Sequence, residues 1–189
     1  MMIISKIPPF YTIILISIFI YSCKKDDLSE NITYNQNSES LEEYVYNVND
    51  LSDYIYDQSK LHRFDILISQ ENLNLIDNDP TAEQYVDASF IFEDKIVKDV
   101  GVRYKGSIGA FVGCLSGPNW SNPSGYKTCP KLSMKIKINY KNDKKFYDLK
   151  KLQFHSQNLD PTKMRERLGY YMFRNFGIPA PRSNHAVIF

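Results

Sequence analysis

The sequence predicts an α+β domain: a mostly antiparallel sheet with one helix packed on it. Segments of period-two alternation recur between residues 64 and 156. One strongly helical stretch, "LDPTKMRERLGYYMFRNFG", follows them. The chain of 189 residues is 43% hydrophobic and 14% aromatic, enough for one core, and its net charge of +1 argues against a strongly basic nucleic-acid binder. Anion recognition therefore has to come from local clusters, not from the overall field.

The first segment stands apart from that domain. Lys6 precedes an apolar run over residues 10–20, too short for a comfortable membrane span but the length of a signal-peptide core. "IYSC", ending at Cys23, resembles a bacterial lipobox, although Tyr21 stands where small residues are commoner. Residues 1–22 are thus expected to be a lipoprotein signal peptide, with Cys23 lipidated and the protein held at the bacterial envelope, at its outer membrane. Residues 23–60 are expected to form a flexible tether, since 24–52 are rich in Asn, Ser, Asp and Glu and poor in aliphatics. Tyr44, Tyr46 and Tyr54 near its end argue against complete disorder there.

The domain is expected over residues 61–189. "FDILIS" (64–69) suits a strand buried on both faces, and "QENLNLIDND" a short helix stopped before Pro80. Two β-rich runs, 85–92 and 96–104, flank Glu93-Asp94-Lys95 as a hairpin turn. Residues 106–130 hold five of the eight glycines and show no periodicity, which marks a lid, a binding loop or an insertion. Trp120 within it suits a packed anchor better than a ligand stack. Lipidation of Cys23 leaves Cys114 and Cys129, an even pair in an oxidising compartment, hence a disulfide. Such a bridge contributes on the order of 3 kcal/mol in the chain-entropy model. A zinc site would need CxxC spacing or a nearby histidine, and neither is present.

"KLSMKIKINY" (131–140) alternates sharply, with Leu132, Met134, Ile136 and Ile138 on one face and Lys131, Ser133, Lys135 and Lys137 on the other. "FYDLKKLQFHS" supplies another strand. Asp160 as N-cap and Pro161 at the first helical position open a helix over 160–176, closed by Gly177 and Pro179. "HAVIF" begins a further apolar strand, which would leave an edge open; the chain is therefore expected to be the N-terminal part of a longer protein.

Two groups of cations draw attention. In "DVGVRYKGS" (99–107), Arg103 and Lys105 point one way from a strand, and Lys131, Lys135 and Lys137 share a face of another. A solvated, aggregation-resistant sheet face and an anion cradle explain such lysines about equally well. No P-loop or GxGxxG is present. His62, His155 and His185 lie far apart without metal-ligand spacing, so satisfied lone histidines are the default. Nucleophilic and zinc hydrolase readings find neither GxSxG nor HExxH.

The order of these elements carries a resemblance. "YVDASFIFEDKIVKDVGVRYKGS", then "KLSMKIKI", then "FYDLKKLQFHSQNLDPTKMRERLGYYMFRNFGIPAPRSNHAVIF" resembles the CotH kinase family over residues 64–189. The shared pattern is an R-x-K-G strand end, a K-x-S-x-K-[IL]-K strand and a "DP…R…GIPAPR" helix exit. One departure is Lys105-Gly106-Ser107-Ile108-Gly109, where the family often reads KGNSS.

The resemblance implies the N-terminal part of an atypical protein-kinase-like fold that binds ATP with magnesium or another divalent metal and phosphorylates proteins on serine. It makes Arg103, Lys105, Lys131, Lys135 and Lys137 candidates for the triphosphate, and Glu166 a candidate to orient a phosphate-binding lysine. The family's base and metal-binding aspartates are expected after Phe189, which leaves no catalytic or metal residue in this chain and the fragment inactive alone. The expected partners are a protein substrate and a membrane, not nucleic acid. The alternative reading is a non-catalytic surface adhesin or scaffold lipoprotein.

Overall fold

Alternation and tight turns build the sheet, and a computed structural model describes it over residues 41–106, 108–118 and 120–189. The signal segment, Cys23 and the tether up to residue 40 lie outside the described residues. Strands are β1 (Glu42–Glu43), β2 (His62–Ile68), β3 (Val86–Phe92), β4 (Lys95–Tyr104), β5 (Met134–Lys137), β6 (Lys151–Phe154) and β7 (Ala186–Ile188). Helices are α1 (Gln70–Asn78), α2 (Ile108–Phe111) and α3 (Arg165–Asn175). The order across the sheet is β6-β5-β4-β3-β2-β7, and β1 also pairs with β4. The sheet is mixed: neighbours from β6 to β2 are antiparallel, whereas β1–β4 and β2–β7 are parallel.

Local chemistry explains the central hairpin. Glu93 and Asp94 both take positive φ, at 47° and 62°, as a two-residue turn of the primed type requires, and they set Phe92 opposite Lys95. Asp99, with φ 55°, lies in the register shift between Ala88 and Phe90, a bulge that adds twist to β4. Ser69 caps α1, its hydroxyl accepting from the Asn72 N–H.

The core lies on one face of the sheet. Phe64, Phe90, Val100, Val102, Ile136, Ile138 and Phe146 are its most deeply buried members. Phe146 centres an aromatic cluster, with Phe90 at 5.2 Å, Phe92 at 5.1 Å and Tyr44 at 5.1 Å between ring centroids. Such edge-on and tilted contacts add to the burial of each ring.

Several expectations need correction. The end of the tether, residues 41–60, packs on the domain: Ile55 is 6% exposed, and Tyr44, Tyr54 and Tyr56 lie against the core. Burying those rings outweighs the polar composition around them. "FYDLKKLQFHS" is not one strand; Tyr147 and Asp148 adopt positive φ and close a turn that pairs Phe146 with Leu149 before β6 starts.

The helix begins at Arg165, not at 160, because Lys163 takes φ 57° and interrupts the first turn. Asp160 still serves it at a distance: its carboxylate accepts from the Arg165 N–H at 2.9 Å. Nor does α3 pack its apolar side on the sheet. It buries no residue, and Leu168, Tyr171, Met172 and Phe173 are exposed. Polar contacts hold it instead. Arg167 donates to the Gln58 side chain at 2.7 Å and to His185 at 2.8 Å.

Candidate anion site

The β4–β5–β6 register places the cations. Arg103 pairs with Lys135, Lys135 with Gln153, and Gly101 with Lys137. Side chains directly opposite in a sheet share a face, so Arg103, Lys135 and Gln153 form one row. Val102, Ile136 and Leu152, one residue along each strand, are buried on the other face. Lys105 extends the pattern past the end of β4, its N–H donating to the Ser133 carbonyl at 2.9 Å. Arg103, Lys135 and Lys137 therefore stand on one side of the sheet.

Their fates differ. Arg103 is only 13% exposed and forms an ion pair with Glu83, which leads out of the helical turn Pro80–Ala82 with φ 51°. The Tyr85 ring lies 5.1 Å from its guanidinium carbon. Glu83 also accepts from the Gly106 N–H at 3.4 Å. Lys137 sits by the aromatic end of the row, 5.9 Å from the Tyr85 and Tyr140 ring centroids. Gly101 makes room there, since a Cβ on it would meet the Tyr140 ring at 2.7 Å.

Among the described residues, Lys105 makes no direct carboxylate contact. Its ammonium donates to Gln153 Oε1 and to His155 Nε2, both at 2.9 Å. His155 Nδ1 lies 2.7 Å from Glu166 Oε2, which links sheet and helix in the sequence Lys105–His155–Glu166. Burial pushes the Lys105 pKa below its ordinary value and Lys135 and Arg103 add to that, while Glu166 opposes them. Burial, with a hydrogen bond to Glu166, raises the Tyr170 hydroxyl.

Lys105, Lys131, His155 and Glu166 line a cavity of about 1270 Å³ between the sheet and α3. Its floor is apolar, including Phe64, Leu132 and Phe154. A smaller pocket of about 320 Å³ shares His155 and Glu166 as its wall. Lys135 and Lys137 are outside both linings. Among the described residues, the Lys131 and Lys135 side chains make no hydrogen bond or ion pair.

The six candidates thus divide. Lys105, Lys131 and Glu166 meet on the cavity; Arg103, Lys135 and Lys137 stand on the sheet face opposite its apolar floor. Sequence reasoning missed Glu83, Gln153 and His155. The signal for two of them was "LQFHS", in which Gln153 and His155 recur at the same alternate spacing as the lysines.

The loop between β4 and β5 is closed by a disulfide joining Cys114 and Cys129. Trp120 in that loop is 70% exposed, so it is not the packed anchor expected. Among the described residues, no three or more of His, Cys, Asp and Glu gather as metal ligands would, and no helix is long and apolar enough to cross a membrane.

No curated protein matches the chain. Residues 102–189 match a family model described as CotH kinase protein, and that span contains all six candidates but not Glu83.

Proposed function

We propose that this chain, whose residues 102–189 match the CotH kinase protein model, is the ATP-binding N-terminal portion of a lipid-anchored protein kinase that transfers phosphate to serine. One observation carries the reading: just past the end of β4, Lys105 borders a cavity that a second lysine, Lys131, also lines. Phosphoryl transfer depends mainly on positioning and charge neutralisation, and two lysines bordering one cavity support such a reading. Lys105 and Lys131 are the residues for the phosphates, with Lys135 adding to the local field. Arg103 is committed to Glu83 and supports the strand end.

The donor set fits a polyphosphate. An ammonium has three N–H donors, and Lys105 uses two on Gln153 and His155. Among the described residues no three or more of His, Cys, Asp and Glu gather as ligands, and no role in metal binding is assigned to them. Lipidation at Cys23, anchorage at the outer membrane and a protein substrate complete the proposal.

Calorimetric titration of the full chain with ATP tests it. Lys105→Ala should weaken binding about tenfold or more, the range of a hydrogen bond to a charged group. Lys145→Ala, whose lysine pairs with Asp148, should change nothing. Absence of ATP binding by the unaltered chain refutes the reading. The scaffold alternative has one observation in its favour, the exposed Leu168, Tyr171, Met172 and Phe173 of α3.

A further inference from the structure

We infer that His155 is a positioning residue, held as its Nδ1–H tautomer, which fixes Lys105 for an anionic ligand without cancelling the lysine's charge. The inference deepens the nucleotide-binding reading and rests on it only for the identity of the ligand.

Donor and acceptor roles decide the tautomer. Lys105 is a donor only, so the His155 Nε2 it contacts must accept. Glu166 accepts, so His155 Nδ1 must carry the proton it receives. The imidazole is then neutral and stands between a cation and a carboxylate. Had Glu166 touched Lys105 directly, the pair would have neutralised at contact distance, as Arg103 and Glu83 do. A neutral ring in between orients the ammonium while keeping Glu166 one residue further away. Gln153, the other partner, is neutral as well. The third N–H of Lys105 is left for a ligand oxygen.

The other two histidines differ at Nε2, although His62 Nδ1 lies 3.7 Å from a Glu93 oxygen. His62 Nε2 lies 2.9 Å from the Tyr54 carbonyl, and His185 Nε2 lies 2.8 Å from the Lys163 carbonyl. A carbonyl only accepts, so both rings carry the proton on Nε2. His185 Nδ1 accepts from Arg167 at 2.8 Å, consistent with that assignment. His155 alone among the histidines should therefore be the Nδ1–H form.

Long-range proton–nitrogen spectra of the full chain, labelled at the imidazole nitrogens, read this directly, with His155→Gln used to assign the signal. The expected result is Nδ1–H for His155 and Nε2–H for His62 and His185, with the His155 signal lost from that form in Glu166→Ala. An Nε2–H or averaging His155, or a tautomer indifferent to Glu166→Ala, overturns the inference. ATP titration supplies the second readout. His155→Ala should weaken binding about tenfold, and His155→Gln should recover most of the loss, because its amide oxygen still accepts from Lys105. Equal affinity in His155→Ala and the unaltered chain also overturns it. If the unaltered chain binds no ATP yet shows the Nδ1–H form, the Lys105–His155–Glu166 bridge stands and the nucleotide reading falls.

Discussion

The cation row has two ends, and they are built on different chemistry. At one end Arg103 meets the Glu83 carboxylate directly and lies by the Tyr85 ring, nearly out of solvent. At the other, two residues along the same strand face, Lys105 is held by an amide oxygen and an imidazole nitrogen. A paired charge half-removed from water fastens structure; a charge oriented by neutral acceptors still attracts an anion. Sequence spacing makes the two residues equivalent. Their partners separate them.

The strongest way to disturb both ends is to open the loop between β4 and β5. Cys114→Ser with Cys129→Ser should lower stability by about 3 kcal/mol in the chain-entropy model, read as a shift in the urea midpoint. The approach of Lys131 to the cavity follows directly after that bridge, so ATP affinity should fall in the same variant. A stability loss with unchanged affinity would show that the loop's closure does not serve the cavity.

Glu83→Ala separates the ends. Removing the partner of Arg103 should cost about 1–2 kcal/mol of stability, in the range for an unmade bond to a charged group, without lowering ATP affinity. Lys105→Ala should do the reverse, leaving the urea midpoint in place while binding weakens. If Glu83→Ala weakens ATP as much as Lys105→Ala does, the two ends are one site and the distinction fails.

The smallest effect concerns acid. Asp160 is pulled down to about 2, chiefly by the Thr162 hydroxyl, with the Arg165 and Thr162 N–H groups adding to it. Its folded pKa lies below its ordinary 3.8, so its contribution is fully present above about pH 4 and disappears as pH falls toward 2. The Asp160→Asn variant should therefore lose stability at neutral pH and show a flatter acid limb than the unaltered chain in denaturant midpoints measured between pH 5 and pH 2.

What could be read in advance was local. The alternation over residues 132–138 assigned the buried and solvated faces of β5, and Glu93-Asp94-Lys95 marked the turn, of which Lys95 proves to be the first residue of β4, because each rests on neighbours in sequence. The helix start failed at Lys163, where one left-handed residue breaks a pattern that Asp160-Pro161 otherwise begins well. The tether's end failed because Tyr44 and Ile55 find partners far along the chain, Tyr44 against Phe146. The site failed in the same way. His155 lies fifty residues from Lys105, and Glu83 twenty from Arg103, so periodicity showed the cations and concealed what each one touches.

The parallel β1–β4 contact has a mechanical side. Glu42 and Glu43 pair with Lys95 and Ile96, at the opposite end of β4 from Arg103 and Tyr104. A chain tethered at its N-terminus would carry drag into the domain through β1. That load would slide two residues and the Tyr44 N–H bond to Ile96 past the start of β4. The aromatic cluster on Phe146 stands next in line, where Tyr44 is lodged. In a chain so tethered, Arg103 and Lys105, at the far end of the same strand, would be shielded from the pull by nearly the whole length of β4.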